Sequence, residues 1–220
     1  MSFWGSTATK PLESKWTPVR RAVAARPVGC GFVPIESQVA AVRELLAALG
    51  QGCQGVVIHG PSGSGRTAVS RQLCRVAGGL VLELNDPPLD FQASLTDRFK
   101  KSTFSDKNQR LGLMRVDGLT LEHRGWEKLA FGIGMPGVRL VVVATTAWWL
   151  WHREAMGPNW HDVCLKLLAT AEIEHLANSA RWRVDPRSRQ IDESAVKEIE
   201  MKSEGLASEV SRLAVSEFFH

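Results

Sequence analysis

Apolar positions along this chain keep one of two periods, and the alternation between them predicts its elements. Val39, Val42, Leu46 and Leu49 recur at helical spacing, so Ile35 to Leu49 reads as an amphipathic helix stopped by Gly50 and Gly52. Val56 to His59 is a short β-branched run, the mark of a buried strand. Thr67 to Val76 returns to helical spacing with Val69, Leu73 and Val76 inward, and Gly78-Gly79 ends it. Leu80 to Leu84 predicts a second strand, Phe91 to Lys100 a helix, and Lys101 to Arg110 a polar loop. Leu111 to Val116 predicts a third strand running into Asp117-Gly118, followed by a short helix at Trp126 to Phe131. Val138 to Ala144 is continuous and Val-rich, as a central parallel strand buried on both faces should be.

Beyond Trp160 the character changes. Thr170 is placed to cap a helix reaching Arg181, with Glu172 in its first turn. Asp192 is placed to cap another, with Val196 and Ile199 inward, and Gly205 breaks it. A last helix carries Val210, Leu213, Ala214 and Phe218. Strands alternating with helices and then helices alone predict an α/β fold: a parallel sheet flanked by helices, followed by a small all-helical lid. The expected division is an extended basic arm at 1–34, an αβα domain at 35–168 and the lid at 169–220. The arm is basic through Lys10, Lys15, Arg20, Arg21 and Arg26 and carries Trp4 and Trp16.

Composition narrows the class without naming it. The 220 residues and ordinary apolar content suit one domain with a small appendage. A net charge of +4 permits a nucleic-acid or nucleotide partner without demanding one. Cys30, Cys53, Cys74 and Cys164 show no metal-ligand spacing, so they read as reduced thiols, with Cys74 and Cys164 in apolar contexts as core residues. The six histidines form no metal-spaced group and receive no role from spacing. The N-terminus lacks the apolar run of a signal peptide, and no stretch is long enough to span a membrane. The expectation is a soluble intracellular protein, cytoplasmic or nuclear, with no membrane partner.

The chemistry concentrates at Gly60-Pro61-Ser62-Gly63-Ser64-Gly65-Arg66-Thr67, which fits the phosphate-loop pattern G-x-x-x-x-G-K-[ST] except that Arg66 stands for lysine. A strand before and a helix after are the context the loop requires. Glycines let backbone N–H groups converge on phosphate oxygens, and the helix N-terminus adds partial positive charge. Thr67 supplies a hydroxyl for Mg²⁺. Arg66 keeps the charge but is planar and forked, which suits holding phosphate better than following charge into the transition state. Asp117 ends an apolar strand, where a metal-linked aspartate belongs; the next residue is Gly118, and Glu122, a little further on, is a candidate substitute carboxylate. Thr145-Thr146 end the Val-rich strand, where a hydroxyl reaches a γ-phosphate or orients a water. Trp148, Trp149 and Trp151 follow at once; adjacent tryptophans cannot all face one core, so one or two should be exposed or buried in a partner.

In order and spacing these features resemble the AAA+ ATPases, over roughly residues 26–219. Arg26-Pro27 and Phe32-Val33-Pro34-Ile35-Glu36 are similar to the family's N-terminal box, 60–67 to Walker A, and Leu111 to Asp117 to Walker B. Ala144-Thr145-Thr146 resembles sensor 1, and Ile191 to Phe219 the helical lid. The resemblance implies ATP or ADP with Mg²⁺ held by residues 60–67 and Asp117, catalytic positions at Asp117, Thr146 and Glu122, and sites completed by a neighbouring subunit in a homo- or hetero-oligomer. It also marks departures. Ser208 takes the place of the sensor 2 arginine, with Arg212 one turn on, and Arg153 is the candidate finger where Trp160-His161-Asp162 replaces the usual Ser-Arg pair. The implied function is an ATP-binding subunit of a nucleic-acid machine of replication, clamp-loading or transposition type, with weak hydrolysis; the alternative is a non-catalytic scaffold acting through protein contacts.

Overall fold

The computed structural model describes residues 32–77, 110–115 and 138–216. In chain order these form α1 (Glu36–Gly50), β1 (Gly55–His59), α2 (Arg66–Val76), β2 (Arg110–Arg115), β3 (Val138–Ala144), α3 (Thr146–Met156), β4 (Trp160–Cys164), α4 (Thr170–Val184), α5 (Glu193–Ser203) and α6 (Ala207–Ser216). The arm up to residue 31 lies outside the described residues, as do the strand at Leu80 to Leu84, the helices at Phe91 to Lys100 and Trp126 to Phe131, and Phe218.

The four described strands are all parallel, in the order β2-β3-β1-β4. β1 lies between β3 and β4, and all five of its residues are buried, which is why Gly55–His59 is apolar and β-branched. β3 occupies the predicted span, with Leu140 to Ala144 buried.

α1 and α2 cover one face. Leu45, Leu49, Val69 and Leu73 are all at 1% exposure or less and pack against Val56 and Ile58. Burial on this scale is worth roughly 1.5–3 kcal/mol per large aliphatic side chain. Arg139 on β3 donates to the carbonyls of Leu49 and, at 3.0 Å, Cys53. It so satisfies chain-end acceptors where α1 stops. Burial lowers its pKa from the usual arginine value, against a smaller raising effect from Cys53.

The lid has its own core. Ile173, Leu176, Ala177, Val196, Ile199, Val210 and Leu213 converge from α4, α5 and α6, and Val33 and Ile35 reach into it from before α1. Asp192 caps α5 as expected, its Oδ1 accepting from Ala195 N–H at 2.8 Å. Gly205 has a positive φ of 72° after α5, with Glu204 also left-handed at 51°. The cap expected at Thr170 is corrected: Ala169 is the N-cap, and Thr170 Oγ1 instead donates to Glu200 Oε1 at 2.8 Å, tying α4 to α5. Glu172 does the capping work, accepting from Ala169 N–H at 3.2 Å and from Ser37 N–H in α1 at 2.8 Å.

Two elements are not predicted by the apolar pattern. α3 begins immediately after β3, and β4 is a strand of mixed polarity, Trp-His-Asp-Val-Cys, recognised only by its pairing with β1. Trp160 packs against Gly55, where a Cβ would meet its ring at 2.5 Å. The strand also corrects Cys164, which is exposed rather than a core residue; Cys74 is buried as expected. Asp162 and Cys164 share the face of β4 that carries Trp160, but only Trp160 is covered there.

Candidate nucleotide site

The carboxyl ends of β1, β3 and β4 lead into the loop at Gly60, the Thr145-Thr146 turn and the segment Leu165–Leu168, which is where open parallel sheets place ligands. Gly60, Gly63 and Gly65 adopt φ of 150°, 84° and 93°, conformations that side chains resist. Each is also crowded. A Cβ at Gly60 would meet the Leu165 carbonyl at 2.6 Å, at Gly63 the Ser208 hydroxyl at 2.5 Å, and at Gly65 the Gln38 amide at 2.3 Å. The glycine frame thus shapes the loop and lets α1, the β4 exit and the lid close against it.

α2 starts at Arg66 with Gly65 as its N-cap. The N–H groups of Thr67 and Ala68 are among those to which a helix start offers no intrahelical acceptor. Gln38, buried in α1, donates to the Ser64 carbonyl at 3.2 Å. Ser64 Oγ is buried with no hydrogen-bond partner, and the residue is among those lining an open pocket of about 210 Å³ between α1 and the Cys164–Leu168 segment. A loop frame that excludes Cβ atoms, a helix start and a buried hydroxyl with no partner fit a bound polyphosphate. Residues 60–67 would hold it, with Thr67 the side-chain oxygen for Mg²⁺.

Arg66 crosses to β3 and donates to the Ala144 carbonyl. The two threonines that follow divide their work: Thr145 caps α3, its hydroxyl accepting from Trp148 N–H at 3.2 Å, while Thr146 Oγ1 lies 3.3 Å from His59 Nδ1. His59 is the residue before Gly60; it is 5% exposed, and its Nε2 lies 2.9 Å from Asp162 Oδ2 on β4. Neither His59 nor Asp162 is marked by spacing in the sequence. Pairing of β1 with both β3 and β4 brings them to Thr146.

Asp117, Gly118 and Glu122 lie outside the described residues. Ser208 stands against the loop, its N–H donating to the Gly63 carbonyl at 3.0 Å. Arg212 is exposed and pairs with Glu209 at 2.8 Å on the lid surface. Trp148 and Trp149 are buried while Trp151 is 86% exposed beside exposed Leu150 and Arg153, as the crowding of adjacent tryptophans requires. Among the described residues no group of His, Cys, Asp and Glu is arranged to hold a metal by itself. No described helix is long and apolar enough to cross a membrane.

No protein-family model matches the sequence, and no curated protein matches it. Solved structures do match in shape. The Holliday junction branch migration motor RuvB of Thermotoga maritima aligns with a TM-score of 0.58 at 18% identity, covering 80% of this chain and 60% of RuvB. A point mutant of the same protein aligns with a TM-score of 0.58 at 15% identity, over 82% of this chain and 60% of that one. PCH-2 of C. elegans aligns with a TM-score of 0.53 at 11% identity, over 78% of this chain and 59% of its own. RuvB and PCH-2 are AAA+ P-loop ATPases, and the fold of this chain is theirs. It spans about 60% of the length of these structures.

Proposed function

We propose that this chain binds ATP or ADP with Mg²⁺ at Gly60–Thr67 and acts as an AAA+-like subunit of an oligomeric nucleic-acid machine with weak or absent intrinsic hydrolysis. The observation that carries the reading is the loop itself: three left-handed glycines between a buried parallel strand and a helix start. Backbone amides and the helix N-terminus supply the phosphate cradle, Arg66 a cation, and Thr67 with Asp117 the metal oxygens. Two hydrophobic clusters, one around β1 and one within α4–α6, support a nucleotide domain at 35–168 and a lid at 169–220. RuvB, a branch migration motor, lends the nucleic-acid setting, and the net charge of +4 is compatible with it.

Weak hydrolysis is favoured by what stands at the reacting end. Gly118 cannot polarise a water, leaving Glu122 as the substitute, and Arg66 is bonded to Ala144. The same features favour the second reading, a non-catalytic scaffold that keeps the fold for assembly. Calorimetry with ATP and ADP, with and without Mg²⁺, on wild type and Thr67→Ala separates them. Binding whose Mg²⁺-dependent part weakens in the variant supports the nucleotide reading. No binding at millimolar nucleotide overturns it in favour of the scaffold.

A further inference from the structure

We infer that His59, held by Asp162, turns the Thr146 hydroxyl proton inward, so that Thr146 offers the nucleotide site an acceptor oxygen rather than a donor. The role in the site rests on the nucleotide reading above; the direction of the hydroxyl rests only on the contacts around the ring.

A carboxylate accepts and cannot donate, so the 2.9 Å contact between Asp162 Oδ2 and His59 Nε2 places the ring proton on Nε2. A neutral ring then has only a lone pair at Nδ1. Thr146 Oγ1 lies 3.3 Å from that lone pair and is the group able to donate to it. His59 cannot swing away to release it. It is 5% exposed on a strand paired on both sides, and its ring lies 6.2 Å from that of Trp149, centroid to centroid. The neighbouring Thr145 hydroxyl is already used as the α3 cap.

The consequence is chemical. A threonine that donates to a γ-phosphate distinguishes ATP from ADP. One that has committed its proton to a histidine does not, though its lone pairs can still accept a hydrogen bond from a water. His59 is therefore a positioning residue, and the chain's preference for ATP over ADP should not depend on Thr146 as long as His59 is in place.

The test uses the full chain and two readouts. Nitrogen NMR of histidine-labelled protein, with His59 assigned by comparison with a His59 variant, should show the proton on Nε2 and a bare Nδ1. The ratio of ATP to ADP affinity should change less than about twofold in Thr146→Val. His59→Phe keeps the ring's bulk but removes the acceptor and should raise the ratio roughly tenfold, the worth of one hydrogen bond to a charged group. Adding Thr146→Val to His59→Phe should abolish the rise. A proton on Nδ1, as tautomer or imidazolium, overturns the inference, and so does a roughly tenfold loss of ATP preference in Thr146→Val alone. These two outcomes decide the matter even where His59→Phe does not fold. If neither nucleotide binds, the functional reading fails by itself, and the NMR signature still decides the direction of the Thr146 proton.

Discussion

Replacing Gly65 with alanine should destabilise the whole nucleotide domain as well as the loop. The backbone there sits at φ 93°, a region that costs a non-glycine residue about 1–2 kcal/mol. The new Cβ would also stand 2.3 Å from Gln38 Nε2. That amide is not a loose end: Gln38 is 4% exposed and donates to the Ser64 carbonyl at 3.2 Å. Moving it forfeits a hydrogen bond worth about 0.5–1.5 kcal/mol and disturbs the packing of α1. The two effects together come to about 1.5–3.5 kcal/mol, or a fall in Tm of roughly 3–14 °C for a domain of this size. Urea denaturation of wild type, Gly65→Ala, Gln38→Ala and the double variant checks it. The double variant should be more stable than the two single losses predict, by about 1 kcal/mol, because the clash is gone and the Gln38 hydrogen bond is lost once rather than twice. Stability of Gly65→Ala within about 0.5 kcal/mol of wild type would refute the reasoning, since neither strain nor contact would then be real.

Three further outcomes are expected. Burial raises the Glu172 pKa, but hydrogen bonds from Ser37 and Ala169 lower it more, leaving it below the ordinary glutamate value. Its stabilising effect is therefore present above the unfolded pKa, about 4.3, and is lost as pH falls through the folded value. Glu172→Gln should narrow the gap to wild type as urea titrations move from pH 6 to about pH 3; a gap that stays constant would contradict this. Trp151→Ala with Arg153→Ala should leave Tm nearly unchanged, because both side chains are exposed, yet weaken assembly in sedimentation with nucleotide and DNA; a wild type that stays monomeric in every condition removes the basis for it. The purified chain should hydrolyse ATP slowly or not at all, since polarising the water and neutralising γ-phosphate charge are each worth factors of about 10² or more. Brisk turnover would instead point to Glu122, and Glu122→Gln should then abolish it.

Much of the frame was legible in one dimension because its causes are local. The glycine pattern of 60–67 follows from backbone conformation, the Val138 to Ala144 run from burial on both faces of a sheet, and the Asp192 cap from a side chain bonding its own next turn. The lid helices likewise announce their inward faces at Val196, Ile199, Val210 and Leu213. What needed three dimensions was everything decided by a partner distant in sequence. β4 has no clear period and becomes a strand only through β1; the pairing leaves Cys164 exposed and brings Asp162 to His59, 103 residues away. Thr170 has the right chemistry for a cap, yet the helix begins at it rather than after it, and its hydroxyl finds Glu200 instead. Local sequence specifies the conformation a backbone prefers and the face it buries. Which polar atoms then meet is set by strand order and register, and in this chain the contacts of Thr146 exist only after β1, β3 and β4 have paired.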